Sequence, residues 1–237
     1  MVNPKSKIQN QKSGQVVITI DGPAGAGKST VAKMLADRLK LQYLDTGATY
    51  RALACQAVRE GIDPRDVAAV VRLSRRLRLT LSPGSGGRCK VALEGRDVTR
   101  EIRLEPVTEA AAIIAQFPSV RAAMVRLQRR LARGRSIVVE GRDTGSVVFP
   151  RATHKFFLDA NVRIRARRRH AELVSLHAGS PTVTNIQRQL ASRDHLDRSR
   201  RVGPLIQPPG AIRIDTTSFT APQVVARILA SVAGAGK

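Results

Sequence analysis

The eight residues Gly22-Pro23-Ala24-Gly25-Ala26-Gly27-Lys28-Ser29 constrain this chain more than any other feature in it. They match glycine, four residues, glycine, lysine, serine in full, and Thr30 follows. A loop that wraps a phosphate must point its backbone N–H groups inward, so glycines at 22, 25 and 27 relieve the steric limits on that conformation. A helix starting near Lys28 would aim its positive dipole end at the same phosphate. Lys28 supplies a point charge for β- and γ-phosphates, and the Ser29 hydroxyl is suited to Mg²⁺. The residues from Gly22 to Thr30 are therefore the expected binding loop for ATP or a related triphosphate. Such a loop needs a buried strand before it and an amphipathic helix after it. Val16–Ile20 is strand-like, and Lys28–Lys40 carries Val31, Leu35 and Leu39 on one face.

Four further short apolar stretches follow: Leu41–Leu44, Ile137–Val139, Lys155–Leu158 and Ala211–Ile214. Helical patterns separate them, which predicts an α/β fold with a parallel five-stranded sheet and helices on both faces. Two regions break the alternation. Residues 77–103 read as a small antiparallel insert around a turn at Pro83–Gly87. Residues 161–202 are helical and basic, with ten arginines against three acids and no strong apolar stripe in the later half, as expected of a lid or of a plain surface helical hairpin. The core is then 16–76, 104–160 and 203–237, in a single domain spanning 16–237 behind a disordered basic tail at 1–15.

No run approaches the roughly 18 apolar residues of a membrane helix, and the polar start is no secretory signal, so a cytoplasmic protein without membrane contact is expected. Cys55 and Cys89 have no metal-site spacing and read as two reduced thiols. The chain has 41 basic and 18 acidic residues, for a net charge of +23, and 32 of the basic residues are arginine. Such a field favours anionic partners. The absence of Trp, with only two Tyr, argues against a base-stacking surface, so no specific nucleic acid is expected.

Ligands of a parallel sheet collect at the carboxyl ends of its strands. Asp45-Thr46-Gly47-Ala48-Thr49-Tyr50-Arg51 follows the second strand and could form an anion-binding corner closed by Arg51, or an ordinary helix cap. Glu140-Gly141-Arg142-Asp143-Thr144-Gly145 follows the third strand. Glu140 stands where a carboxylate would hold Mg²⁺. Arg142 and Asp143 offer a donor and an acceptor, or a structural pair that closes a turn. In the lid, Arg193, Asp197 and Arg200 are spaced to share one helix face, and arginines closing over a transferring phosphoryl group stabilise its charge. His195 reads as a surface residue. The acceptor is left open at this point: a phosphate or hydroxyl on a small molecule, or hydrolysis coupled to nucleic acid.

With these residues in hand, the chain resembles the bacterial cytidylate kinases, within the nucleoside monophosphate kinase group. The likeness rests on I-D-G-P-A-G-A-G-K-S-T at 20–30, L-D-T-G-A-T-Y-R at 44–51 and L-E-G-R-D-V-T-x-E-I-R at 93–103. Further on come F-P-S-V-R at 117–121, E-G-R-D-T-G-S-V-V-F-P at 140–150 and R-D-x-x-D-R-S-R at 193–200. The resemblance implies ATP- and Mg²⁺-dependent phosphorylation of CMP or dCMP, and a monomer is expected because no unexplained apolar stripe is visible. It also implies that Thr46, Arg51 and Arg142 hold the acceptor nucleotide and its phosphate, and that Arg121 and Asp143 read the cytosine edge. Arg193 and Arg200 would reach the phosphates, and Asp197 the sugar. Lys28, Arg142, Arg193 and Arg200 are then the expected catalytic residues, and Ser29 and Glu140 the metal ligands. Two positions depart from the pattern: Thr49 where an aliphatic residue is usual, and Ala112 where a serine contacts the base.

Overall fold

The structure is a computed structural model that describes residues 15–83, 89–175 and 181–234. All five expected stretches are strands: β1 (Val17–Asp21), β2 (Gln42–Asp45), β6 (Ile137–Gly141), β7 (His154–Asp159) and β8 (Ile212–Asp215). They form one parallel sheet in the order β2-β6-β1-β7-β8, with the phosphate-loop strand at its centre. Successive side chains of β6 alternate between the two faces. Val138 packs with α1 (Lys28–Leu39) and α8 (Ala221–Gly234), while Ile137 and Val139 pack with the end of α5 (Pro118–Ala132). Both faces are buried, which is why these strands read as continuous apolar runs.

A second apolar cluster lies to one side. It joins α2 (Thr46–Arg59), α3 (Val67–Arg76), α4 (Glu105–Ile114) and α5. The expected antiparallel insert is present as β3 (Leu79–Pro83), β4 (Cys89–Leu93) and β5 (Arg96–Asp97), and it adds Leu79, Val91 and Leu93 to that cluster. The expected turn at Pro83–Gly87 falls, apart from the Pro83 backbone, outside the described residues. So does the expected tail up to residue 14. Gln15, assigned to that tail above, is instead tied to the core: its Nε2 donates to the carbonyls of Ala132 at 2.7 Å and Arg135 at 2.6 Å.

The basic region forms α6 (Val162–Ser175) and α7 (Val183–Arg198), which pack together around Ala166, Ile186 and Leu190. The missing apolar stripe has a physical explanation. The inward positions Ile186 and Leu190 continue as Asp194 and Asp197, both buried. Their cost of burial is offset by arginines: Arg165 pairs with Asp194 at 2.7 Å, and Arg142 and Arg200 pair with Asp197. The stripe persists in space but changes from apolar to acidic.

Candidate functional site

The phosphate loop joins β1 to α1. Gly22, at φ 144°, could not carry a side chain, since a Cβ there would stand 1.9 Å from the Leu158 carbonyl oxygen of β7. The loop is held from outside at two carbonyls. Arg165 Nη1 donates to Ala24 O at 2.9 Å, and Thr216 Oγ1 donates to Ala26 O at 3.1 Å. Inside it, the buried Lys28 Nζ donates to Pro23 O at 2.7 Å. Burial, reinforced by the like charge of Arg142, pushes the Lys28 ammonium down to about 7, against the opposing pull of Glu140, Asp197 and Asp21. Ser29 and Thr30 face solvent at the start of α1, with the Ser29 hydroxyl close enough to the Glu140 carboxylate to favour its charged form.

Glu140 lies within β6 rather than just beyond it. It is buried and also accepts from the Tyr43 hydroxyl. Burial and the neighbouring Asp45 raise its carboxyl above the usual range. On the acceptor side the helix-cap reading of Asp45 holds. It caps α2 by accepting from Ala48 N at 2.8 Å, and it holds Arg51 at 3.0 Å. Thr46 Oγ1 donates to Glu140 O at 2.7 Å, which ties α2 to β6.

After β6 the chain makes a π-helical turn at Thr144–Val148, where a plain loop was expected. Just before it, Asp143 pairs with the buried guanidinium of Arg121 on α5. This pair is walled by Tyr50, whose ring lies 5.6 Å from the Arg121 guanidinium carbon, and by Gly203. Arg121 Nη1 also donates to Ala115 O at 3.3 Å. Ala112 sits one turn earlier on α4 and is exposed.

Four arginines converge on the remaining side. Arg142 Nε donates to Asp197 Oδ2 at 2.7 Å, and Arg200 donates to Asp197 Oδ1. Burial would raise the Asp197 carboxyl, but Arg142 and Arg200 together hold it below the ordinary range. Arg193 is solvent-accessible between the cleft walls and, among the described residues, has no ion-pair partner. Desolvation and the like charges of Arg142, Arg51 and Arg200 lower it to about 10, against the pull of Asp197. One expectation needs correction: Arg193, Asp197 and Arg200 do not share a helix face, because α7 ends at Arg198. Ser199 is its C-cap, and Arg200 lies beyond it, turned back onto Asp197. His195 is exposed, as expected.

Four contributors escaped the sequence. Asp21 joins the two nucleotide loops, Tyr43 engages Glu140, Arg165 braces the phosphate loop against α7, and Gly203 lets the chain pass over Arg121–Asp143. Only Asp21 left a signal, as an acid ending a buried strand directly before the glycines.

Set against known proteins, residues 18–234 match the family model described as cytidylate kinase. The cytidylate kinase of Geobacillus kaustophilus is 46% identical over 216 residues, covering 91% of this chain and 95% of that protein. That of Oceanobacillus iheyensis is 43% identical over 216 residues, covering 91% and 93%. That of Solibacter usitatus is 43% identical over 223 residues, covering 94% of each. Among solved structures, a shikimate kinase from Bacteroides thetaiotaomicron matches with a TM-score of 0.48 at 12% identity, covering 92% of this chain and 99% of that one.

Proposed function

The chain belongs to the cytidylate kinase family, and from that premise we infer that it transfers the γ-phosphoryl group of ATP to CMP or dCMP. The products are ADP and the cytidine diphosphate. The observation that carries the mechanism is the convergence of Lys28 and Arg142. Asp21, directly before the phosphate loop, is fastened to Thr144 and Gly145 just past Arg142, so the loop amine and the acceptor-side guanidinium stand on joined loops and the donor and acceptor phosphates would meet between them.

The acceptor is a phosphate oxygen, already nucleophilic near neutral pH, so no general base is needed. A new P–O bond forms to the γ-phosphorus as the bond to the β-phosphate oxygen breaks, and the electron pair leaves on ADP. The obstacle is repulsion between two anions that must align. Lys28 and the phosphate-loop amides hold the donor. Thr46, Arg51 and Arg142 hold the acceptor phosphate, Arg121 and Asp143 read the base, and Asp197 reaches the sugar. Arg193, which has no ion-pair partner among the described residues, meets the transferring group with Arg200. A hydroxyl acceptor would need a carboxylate base, but Asp45 and Asp143 are both engaged by arginines.

The donor set suits Mg²⁺. Ser29 offers a hydroxyl, Glu140 a carboxylate, and no cluster of three acidic, histidine or cysteine ligands exists among the described residues. Oxygen donors this few fit an ion held mainly by phosphates and water. Mg²⁺ would neutralise the phosphate charge there. Insert 77–103 and lid 161–202 would close over the acceptor and donor and exclude water. A cytoplasmic monomer fits, because the exposed large apolar residues among those described are scattered over separate elements.

The test is ADP formation from ATP and Mg²⁺ with CMP, dCMP, UMP, AMP, GMP or no acceptor. Turnover confined to CMP and dCMP is expected. ADP formation that ignores the acceptor would overturn the reading.

A further inference from the structure

The cleft arginines are largely matched by internal carboxylates, but a second concentration of arginine is not. Helices α3 and α5 pack against each other and contain no acidic side chain. On α3, Arg72 and Arg75 are exposed opposite the buried Val70 and Leu73. On α5, Arg126 and Arg130 are exposed opposite Met124, Leu127 and Gln128, and Arg133 follows at the C-cap. Their spacings of three and four residues keep each set on one face. Among the described residues none of these five has an ion-pair partner. The nearby acids are already used: Glu60 pairs with Arg76, and Asp66 caps α3 at Ala69 N. Attraction to helix C-terminal carbonyls accounts for Arg75 and Arg130 in the last turns, but not for Arg72 and Arg126 further in.

We propose that the exposed arginines of α3 and α5 form a docking face for nucleic acid, bound through its phosphate backbone without regard to sequence. The choice of partner follows from what the face lacks. It has no exposed aromatic or large apolar side chain, so it can neither stack unpaired bases nor insert into a lipid layer. It presents planar, permanently charged donors that match phosphate oxygens. A net charge of +23 adds long-range attraction. The face consists of residues with no part in the catalytic cleft, so binding there would be compatible with turnover.

Fluorescence anisotropy with a labelled mixed-sequence RNA duplex, titrated with the full chain between 50 and 300 mM salt, tests this. Binding should weaken steeply with salt. Changing Arg72, Arg75, Arg126 and Arg130 together to Glu should weaken it at least tenfold and flatten the log–log salt slope by roughly 3 to 4. Kinase activity within twofold of wild type would show that this variant folds, and the same four changed to Gln serve if it does not. A charge-matched control changes Arg151, Arg163, Arg167 and Arg188 to Glu, all exposed elsewhere. It should retain affinity within about threefold once allowance is made for diffuse charge. Equal loss in both variants, or no binding at 50 mM salt, would overturn the proposal. So would binding to vesicles of anionic phospholipid that depends on the same arginines while the duplex is ignored.

Discussion

Asp21 and Thr144 lie 123 residues apart and meet twice at one oxygen: the Thr144 N–H at 2.8 Å and its hydroxyl at 2.7 Å both donate to Asp21 Oδ1. The other carboxylate oxygen accepts from Gly145 N at 2.7 Å. Asp21 precedes the first glycine of the phosphate loop, and Thr144 follows the Arg142-Asp143 pair. One buried carboxylate therefore sets the donor loop against the acceptor loop.

That carboxylate predicts a pH dependence. Burial raises Asp21 from 3.8 to about 6, against the hydrogen bonds from Gly145 and Thr144, with Asp143 adding to the rise. Between those values the folded chain keeps a proton that the unfolded chain has lost. Its contribution to stability is therefore full below pH 3.8 and is lost as pH rises through 6. The shift corresponds to about 3 kcal/mol. Asp21→Asn removes the titration. In urea unfolding between pH 4 and 7, the variant should gain on the wild type as pH rises; parallel stability curves would contradict this.

Lys28→Met should abolish turnover, because nothing else supplies a mobile cation inside the loop. Arg142→Ala should lower kcat/KM by at least about a hundredfold, as the loss of one stabilising donor does. Steady-state kinetics with ATP and CMP check both. Near-normal rates in the Lys28 variant would remove the basis of the mechanism.

Gly203→Ala probes the Arg121–Asp143 pair, proposed to read the base, from behind. Gly203 adopts φ 63°, and a Cβ there would stand 2.2 Å from Asp143 Oδ2 and 2.4 Å from Arg121 Nη2. Displacing that pair should cost about 1–3 kcal/mol, read as a rise of roughly tenfold or more in the KM for CMP with little change for ATP. Equal changes in both KM values would mean a general loss of structure.

Ala112→Ser adds a hydroxyl one turn from Ala115, whose carbonyl accepts from Arg121. One new hydrogen bond of about 0.5–1.5 kcal/mol should raise the preference for CMP over UMP by roughly two- to twelvefold. An unchanged ratio of kcat/KM values would show that position 112 does not face the base.

The legible parts of this protein are those whose cause is local. The phosphate loop, its strand and its helix were readable because glycine freedom, helix dipole and apolar period all act within a dozen residues. The five strands were readable because a sheet buried on both faces leaves continuous apolar runs. The inward face of the later half of α7 was not legible for the opposite reason. Asp194 and Asp197 occupy inward positions, and only their distant partners Arg165, Arg142 and Arg200 make that burial tolerable. Gly203 was invisible because the atoms it must avoid belong to Arg121 and Asp143.

The sequence by itself determined the sheet, the phosphate loop and the family. Tertiary structure alone decided which charge faces which. It set Asp21 between the two loops, gave Asp197 both Arg142 and Arg200, and left Arg193, Arg72, Arg75, Arg126 and Arg130 without an ion pair among the described residues. Residue type and local period fix which groups a chain carries along each element. The pairing of those groups, and hence their charge and pKa, depends on distances between segments that only the packed core sets.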